Sequence, residues 1–192
     1  MKRIVIALAA LLVLAGCNAP QKDPLNQFRY AVNDSLIAQN RAGAFLLGAP
    51  LPASVEGLMY LRYDETRMEE GEEYVYRYCA VKDSTAQHAR LEVAEDDVIV
   101  AIELMSSYFH TLQAVAVGSS LQDALSVWPD AQIWYSYVSD TYVLETPALP
   151  GVQFVLDADA YRGSADLSSS DMVTLQPVDF DLAGTIKTIL IR

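Results

Sequence analysis

What constrains this chain most is a series of short runs, from residue 40 onward, in which apolar and polar residues alternate with a period of two. A strand sends successive side chains to opposite faces, so each run has one face to bury and one to leave wet. Ala42–Leu47, Tyr74–Val81, Ala89–Ala94 and Val98–Met105 form a first series, and Glu95-Asp96-Asp97 reads as a hairpin turn between the last two. Val115–Val117, Ile133–Tyr137, Tyr142–Thr146, Val152–Leu156 and Thr185–Ile191 form a second. The clearest helix is Leu121–Trp128, where Leu121, Leu125 and Trp128 fall on one face and Pro129 stops the run. Alternation places Val100 with Ile102, and Ile189 with Ile191, on common sheet faces. Asn26–Asn40 fits a helix through Phe28, Val32 and Leu36, or an edge strand.

Laid side by side, "LLGAPLPASVEGL" and "AVGSSLQDALSVW" each place an apolar run before a glycine and a leucine three residues after it. Gly48 and Gly118 are 70 residues apart, and so are Leu51 and Leu121. A glycine ending a strand suits a turn with positive φ, and Ser119 or Ser120 can cap the helix beyond it. Each series also closes on a strongly apolar run, "VIVAIELM" or "TIKTILIR". The expected fold is therefore α+β, an antiparallel-sheet-rich single globular domain over 27–192. It either contains two similar β-rich halves (42–105 and 115–192), each with a short helix after a strand–glycine corner, or two unrelated strand–turn–helix corners.

Ahead of this domain, Lys2 and Arg3 precede an uncharged apolar run, Ile4–Leu14. That run is too short to span a hydrocarbon core as a helix, which takes roughly 20 residues, and has the length and flanks of a secretory h-region. Leu14-Ala15-Gly16-Cys17 is similar to the lipobox of bacterial lipoproteins. The resemblance implies a signal peptide over 1–16, cut before Cys17, and lipidation of Cys17 itself. Several acyl chains, palmitate among them, hold a protein on a membrane where one chain does so only marginally. Asn18 follows Cys17 where inner-membrane lipoproteins of enteric bacteria commonly carry Asp, so the expected site is the outer membrane, facing the periplasm. The polar stretch over 17–26, with Pro20 and Pro24, is a tether.

Loss of Lys2 and Arg3 moves the formal charge from −12 to −14. Such an acidic chain is repelled by phosphates, which argues against nucleic-acid binding. With Cys17 acylated, Cys79 stands alone and no intrachain disulfide forms. A buried, small hydrophobe is expected at Cys79; an exposed thiol would permit a dimer bridge.

The run "VAVGSSLQDALSVWPDA", then "VQFVLDADAYRG", the serine-rich loop with Ser170-Asp171 and the closing "GTIKTILIR" resemble the small enterobacterial envelope lipoproteins typified by YfeY, also called sigma-E-regulated lipoproteins. The resemblance extends back through "DDVIVAIELMSS" to "NRAGAFLLGAPLPASVEGL", covering roughly Gly43 to Arg192. Two departures stand out. Ala131–Glu145 lacks a cysteine pair, and Tyr161 stands where a tryptophan is expected before Arg162-Gly163. The resemblance implies a fold and a location, and no catalytic residue.

Three groups of side chains could carry function. Tyr74, Tyr76 and Tyr78 alternate in "EEYVYRYC" and share one strand face, and Trp134, Tyr135, Tyr137 and Tyr142 fill the matching region of the second series. Rings with polar tips suit a glycan, peptide or protein partner, so the expected ligand-binding residues are Tyr74, Tyr76, Tyr78, Trp134 and Tyr137. Packing between sheet and helix is the competing role for these rings. Asp157, Asp159, Asp166 and Asp171 crowd a Gly/Ser-rich stretch that could offer oxygens to calcium. Tyr161 falls where a third ligand of an EF-hand loop would stand, so a solvated loop is the expectation, with no cofactor. His88 and His110 belong to no catalytic motif, and Glu69 and Glu72 flank Gly71 in what reads as a charged turn. No catalytic residue is assigned. The function expected is a non-catalytic, membrane-tethered domain that binds an envelope protein or a cell-wall polymer. An envelope hydrolase and a calcium-stabilised structural module are the alternatives.

Overall fold

The alternating runs pair into one nine-stranded, wholly antiparallel sheet in the computed structural model, which describes residues 35–192. The signal segment, Cys17, the tether and the Asn26–Asn40 stretch up to residue 34 lie outside the described residues. Three two-residue strands come first: β1 (Ile37–Ala38), β2 (Arg41–Ala42) and β3 (Phe45–Leu46), which form a small sheet of their own. The large sheet is built from β4 (Met59–Glu69), β5 (Glu72–Lys82), β6 (Gln87–Val93), β7 (Ile99–Leu104), β8 (Gln132–Ser136), β9 (Thr141–Glu145), β10 (Val152–Leu156), β11 (Met172–Leu175) and β12 (Ile186–Ile191). Its order is β11-β8-β9-β10-β12-β7-β6-β5-β4. Outward from the centre the strands read β7, β6, β5, β4 in one direction and β12, β10, β9, β8 in the other. The sole α-helix among the described residues, α1 (Leu121–Val127), lies between β7 and β8 in the chain.

Both glycine corners dock on the first residue of a central strand. The Gly48 N–H donates to the Ile99 carbonyl at 2.8 Å, and the Gly118 N–H donates to the Ile186 carbonyl at 2.8 Å. Ile99 returns its N–H to Ala49 and Ile186 returns its own to Ser119; Leu51 donates to Asp97 and Leu121 to Gly184. Gly48 and Gly118 have φ of +73° and +89°, the left-handed region where a side chain is strained. The corners then diverge. After Gly118, Ser120 accepts a hydrogen bond from the Asp123 N–H at 3.1 Å and starts α1. After Gly48, Pro50 offers no capping oxygen and Pro52 disfavours a helical Leu51, so this corner carries no helix.

One face of the sheet is covered. Leu91, Ile102, Leu104, Ile189, Ile191 and Phe154 are sealed there beneath Phe45, Phe109, Leu121 and Trp128. The Trp128 ring meets Phe154 at 5.1 Å between centroids, and Phe45 meets Phe109 edge-on at 6.2 Å. Cys79 is wholly buried in this layer, and burial pushes its thiol pKa up.

Several expectations are corrected. Ala42–Leu47 is a two-strand corner bent at Gly43, not one strand, and Val115–Val117 makes only a single bridge, His110 to Ala116. The described end of the Asn26–Asn40 stretch is extended, with Leu36 bridged to His110 and β1 directly after it. The helix buries Leu121 and Ala124, with Trp128 at its C-cap, while Leu125 sits at the edge of the contact. Val100 does not share a face with Ile102. Ladder pairs jump from Val93–Ile99 to Glu92–Ala101, leaving Val100 bulged outward and 47% exposed. Lys187 is skipped in the same way in β12, where the pairs are Leu156–Ile186 and Val155–Thr188. Ile189 and Ile191 do share the buried face.

Candidate functional site

The opposite face of the sheet carries the residues that alternation points away from the core, and none of the short elements packed on the core covers it. A cavity of about 340 Å³ lies on this face. It is lined from Arg67 on β4 and Tyr78 on β5, through Arg90, Glu103, Thr188 and Gln153, to Val143 on β9 and Trp134 on β8. Those eight strands, laid flat at about 4.8 Å spacing, would span roughly 34 Å. One cavity of this size touches all of them because the sheet curls around it. The face is a trough with an apolar centre, Ala101, Val155 and Leu190, and polar or aromatic ends.

One end is the tyrosine strand. Cross-strand pairing puts Tyr63, Glu65 and Arg67 of β4 beside Tyr78, Tyr76 and Tyr74 of β5 on the trough side. Tyr74 is 44% exposed and Tyr76 half-buried, while Tyr78 is only 5% exposed. Tyr78 is covered by two arginines. The Arg90 guanidinium lies 4.9 Å from its ring centroid, and Arg67 donates to its hydroxyl at 2.9 Å. Burial raises the Tyr78 pKa. Arg67 also lies 4.9 Å over the Tyr76 ring and donates to Glu65 at 2.7 Å. Arg90 grips Glu103 through two nitrogens, at 2.7 and 2.6 Å. Burial opposes the Arg90 charge, and Glu103 together with Tyr63 more than offsets it. The two guanidinium groups are thus neutralised locally and act as rigid struts between rings.

Trp134 forms the other end. Its indole N–H donates to Glu145 at 3.2 Å, and the Gln153 amide donates to the same carboxylate at 2.8 Å. Tyr78 and Trp134, far apart in sequence, therefore line one cavity. Tyr137 is exposed beyond the end of β8 and does not line it. Tyr135 and Tyr142 face each other across β8 and β9 on the covered side, with rings 5.0 Å apart. A hydrogen bond to Asp140 pushes the Tyr135 pKa up to about 12.

The remaining groups are dispersed. Asp157 caps a short 3₁₀ turn, Asp159 is exposed on it, Asp166 closes a serine turn, and the Asp171 carbonyl accepts from the Tyr137 N–H. No three Asp, Glu, His or Cys side chains among the described residues come together as a metal-binding group. Glu69 and Glu72 face each other at the hairpin end and accept from Tyr76 and Tyr74. His110 spans Ser35 and the Thr111 carbonyl.

One grouping is not visible in the sequence. His88, skipped by the β5–β6 ladder, is buried with Nδ1 2.8 Å from Ser106 Oγ and Nε2 3.0 Å from Asp83 Oδ2. The Nε2 approach is too oblique for a directed hydrogen bond. Bonds from the Thr85 hydroxyl and N–H and from the Ala86 N–H hold Asp83 well below the usual carboxylate range. The imidazole stacks on Tyr108 at 4.5 Å. These contacts tie the β5–β6 turn to the loop after β7.

Residues 1–18 match the prokaryotic membrane lipoprotein lipid attachment site, so the chain carries the signature of a membrane-anchored lipoprotein. No curated protein matches it in sequence. Its fold is similar to the crystal structure of the uncharacterized protein YfeY from Escherichia coli, with a TM-score of 0.55 and 15% identity over 82% of this chain and 99% of that one. The sheet-rich fold expected from the alternating runs is the one observed.

Proposed function

We propose that this chain is an outer-membrane lipoprotein whose periplasm-facing domain holds a protein or cell-wall polymer in the trough, without catalysing a reaction. The observation that carries the reading is the single cavity joining Tyr78 to Trp134 across eight strands. Of its three arginines, Arg67 and Arg90 are already paired with Glu65 and Glu103, and the charge of Arg192 is balanced in the lining by Glu92, so a neutral, hydrogen-bonding partner suits it better than an anion. Glu103 and Glu145 are held by Arg90 and by Trp134 with Gln153, which supports binding over acid–base chemistry. Asn18 after Cys17 supports outer-membrane residence, and acylation of Cys17 supplies the anchor. The matched hydrogen bonds at Gly48 and Gly118, and the matched bulges at Val100 and Lys187, support two similar β-rich halves. The helix belongs to the second half alone.

The test is photo-crosslinking in intact cells. A photoreactive residue in place of Thr188, at the trough centre, should capture a partner, and one in place of exposed Gln122 on α1 should not. Adding Trp134→Ala and Tyr76→Ala should abolish the Thr188 adduct while the melting temperature stays nearly unchanged. Equal capture from both positions, or none from Thr188, would overturn the trough as the site.

A further inference from the structure

The large sheet ends on two very unequal edges. β11 is 4 residues long, whereas β4 runs for 11, and no described strand pairs with its outer side. A long edge presents a row of free N–H and C=O groups, which proteins usually cover, shorten or guard. β4 instead leaves Met59 and Leu61 51% and 53% exposed beside that edge.

We infer that the outer edge of β4 pairs antiparallel with β4 of a second copy of this chain, with Tyr63 on the twofold axis. An axis normal to the sheet pairs residues equally spaced on either side of the residue it passes through, on the same face. With Tyr63 on the axis, Arg62 opposes Asp64 twice, Tyr60 opposes Thr66, Leu61 opposes Glu65 and Met59 opposes Arg67. Opposite charges facing each other across strands stabilise, and like charges do the reverse. Moving the axis to Arg62, Asp64 or Glu65 sets each of those charges against itself. Moving it to Thr66 leaves Met59–Leu61 uncovered and relies on Glu65 and Arg67, already paired with each other. The Asp64 carboxylate has no ion-pair or hydrogen-bond partner among the described residues. Arg62 bonds Asp97 while half-exposed and has donors to spare. A shared membrane anchor would raise the effective concentration of two copies.

The inference is tested in the full lipoprotein in its native membrane, where Cys17 is acylated and Cys79 is sealed. Opposed residues on paired strands have Cα atoms about 4.5–5.5 Å apart, within the reach of a disulfide. Tyr63→Cys should therefore give a covalent homodimer on mild oxidation, and Thr66→Cys, which would oppose Tyr60, should not. In the Tyr63→Cys background, Arg62→Asp should reduce the dimer to the Thr66→Cys level, and adding Asp64→Arg should restore it. Thermal melting of each variant confirms that it is folded. Absence of the Tyr63→Cys dimer, an equal dimer from Thr66→Cys, failure of the charge swap to restore it, or an adduct of another mass would each overturn the inference. The trough is tested separately, by capture from Thr188 in the chain with Tyr63 intact.

Discussion

The corner at Gly48 and the corner at Gly118 receive the same backbone hydrogen bonds, yet one continues as an irregular loop and the other as a helix. The docking that positions a corner is main-chain geometry, indifferent to side chains beyond the glycine. Two or three residues past the corner decide how the chain continues. Ser120 supplies a capping oxygen, and Leu121, Ala124 and Trp128 give the new helix a face to bury. Pro50 and Pro52 deny the first corner both the cap and the first helical turn. Its Leu51 is only half-buried. A shared frame can thus carry different coverings over its core.

The comparison can be broken first at its leucines. Leu121→Ala should lower the unfolding free energy by about 2–5 kcal/mol, as truncations in sealed cores do. Leu51→Ala should cost roughly half of that or less, in proportion to the area it buries. Equal losses in denaturant titrations would mean that the first corner is as well packed as the second. The glycines come next. An added Cβ would meet nothing within 4 Å at Gly48 or at Gly118, so only backbone strain opposes alanine at either place. Gly48→Ala and Gly118→Ala should each cost about 1–2 kcal/mol, and unequal values would sink the equivalence of the two turns. The cap is the smallest effect. Ser120→Ala should cost about 1 kcal/mol, whereas Pro50→Ser should leave the far-ultraviolet circular dichroism unchanged, because Pro52 still holds Leu51 out of the helical region. A gain in helix signal from that variant would show that the cap alone decides.

Much of the central sheet was legible because Ile102, Leu104, Ile189 and Ile191 alternate over a fully buried face. β4 was not. "MYLRYDETRME" places apolar and charged residues on both faces, as an edge strand with both sides wet can afford. β11 escaped for a related reason, since Met172 and Thr174 are exposed and only Leu175 is sealed. Alternation places Val100 on the wrong face because a bulge shifts the period by one residue, and nothing in composition marks where a ladder will skip. The tyrosine face of β5 was readable from its alternation, and so was Trp134, but their convergence depends on the curl of the sheet. The contacts of His88 with Asp83 and Ser106 rest on another skipped residue and were equally hidden.

The placement of β12 bears on how the molecule is made. Among the described residues it comes after every other strand in chain order and yet sits between β7 and β10, the sole strand joining the two wings of the sheet. A chain that crosses a membrane amino terminus first delivers this strand after all the rest. Until it arrives, the inner edges of both β7 and β10 stand open, with Ile102 and Phe154 lacking their neighbours. Closure by such long-range pairing is slow, and open edges invite pairing with other chains. For a chain delivered in that order, late folding of this kind makes the interval before β12 pairs the one in which its open edges are most exposed to other chains.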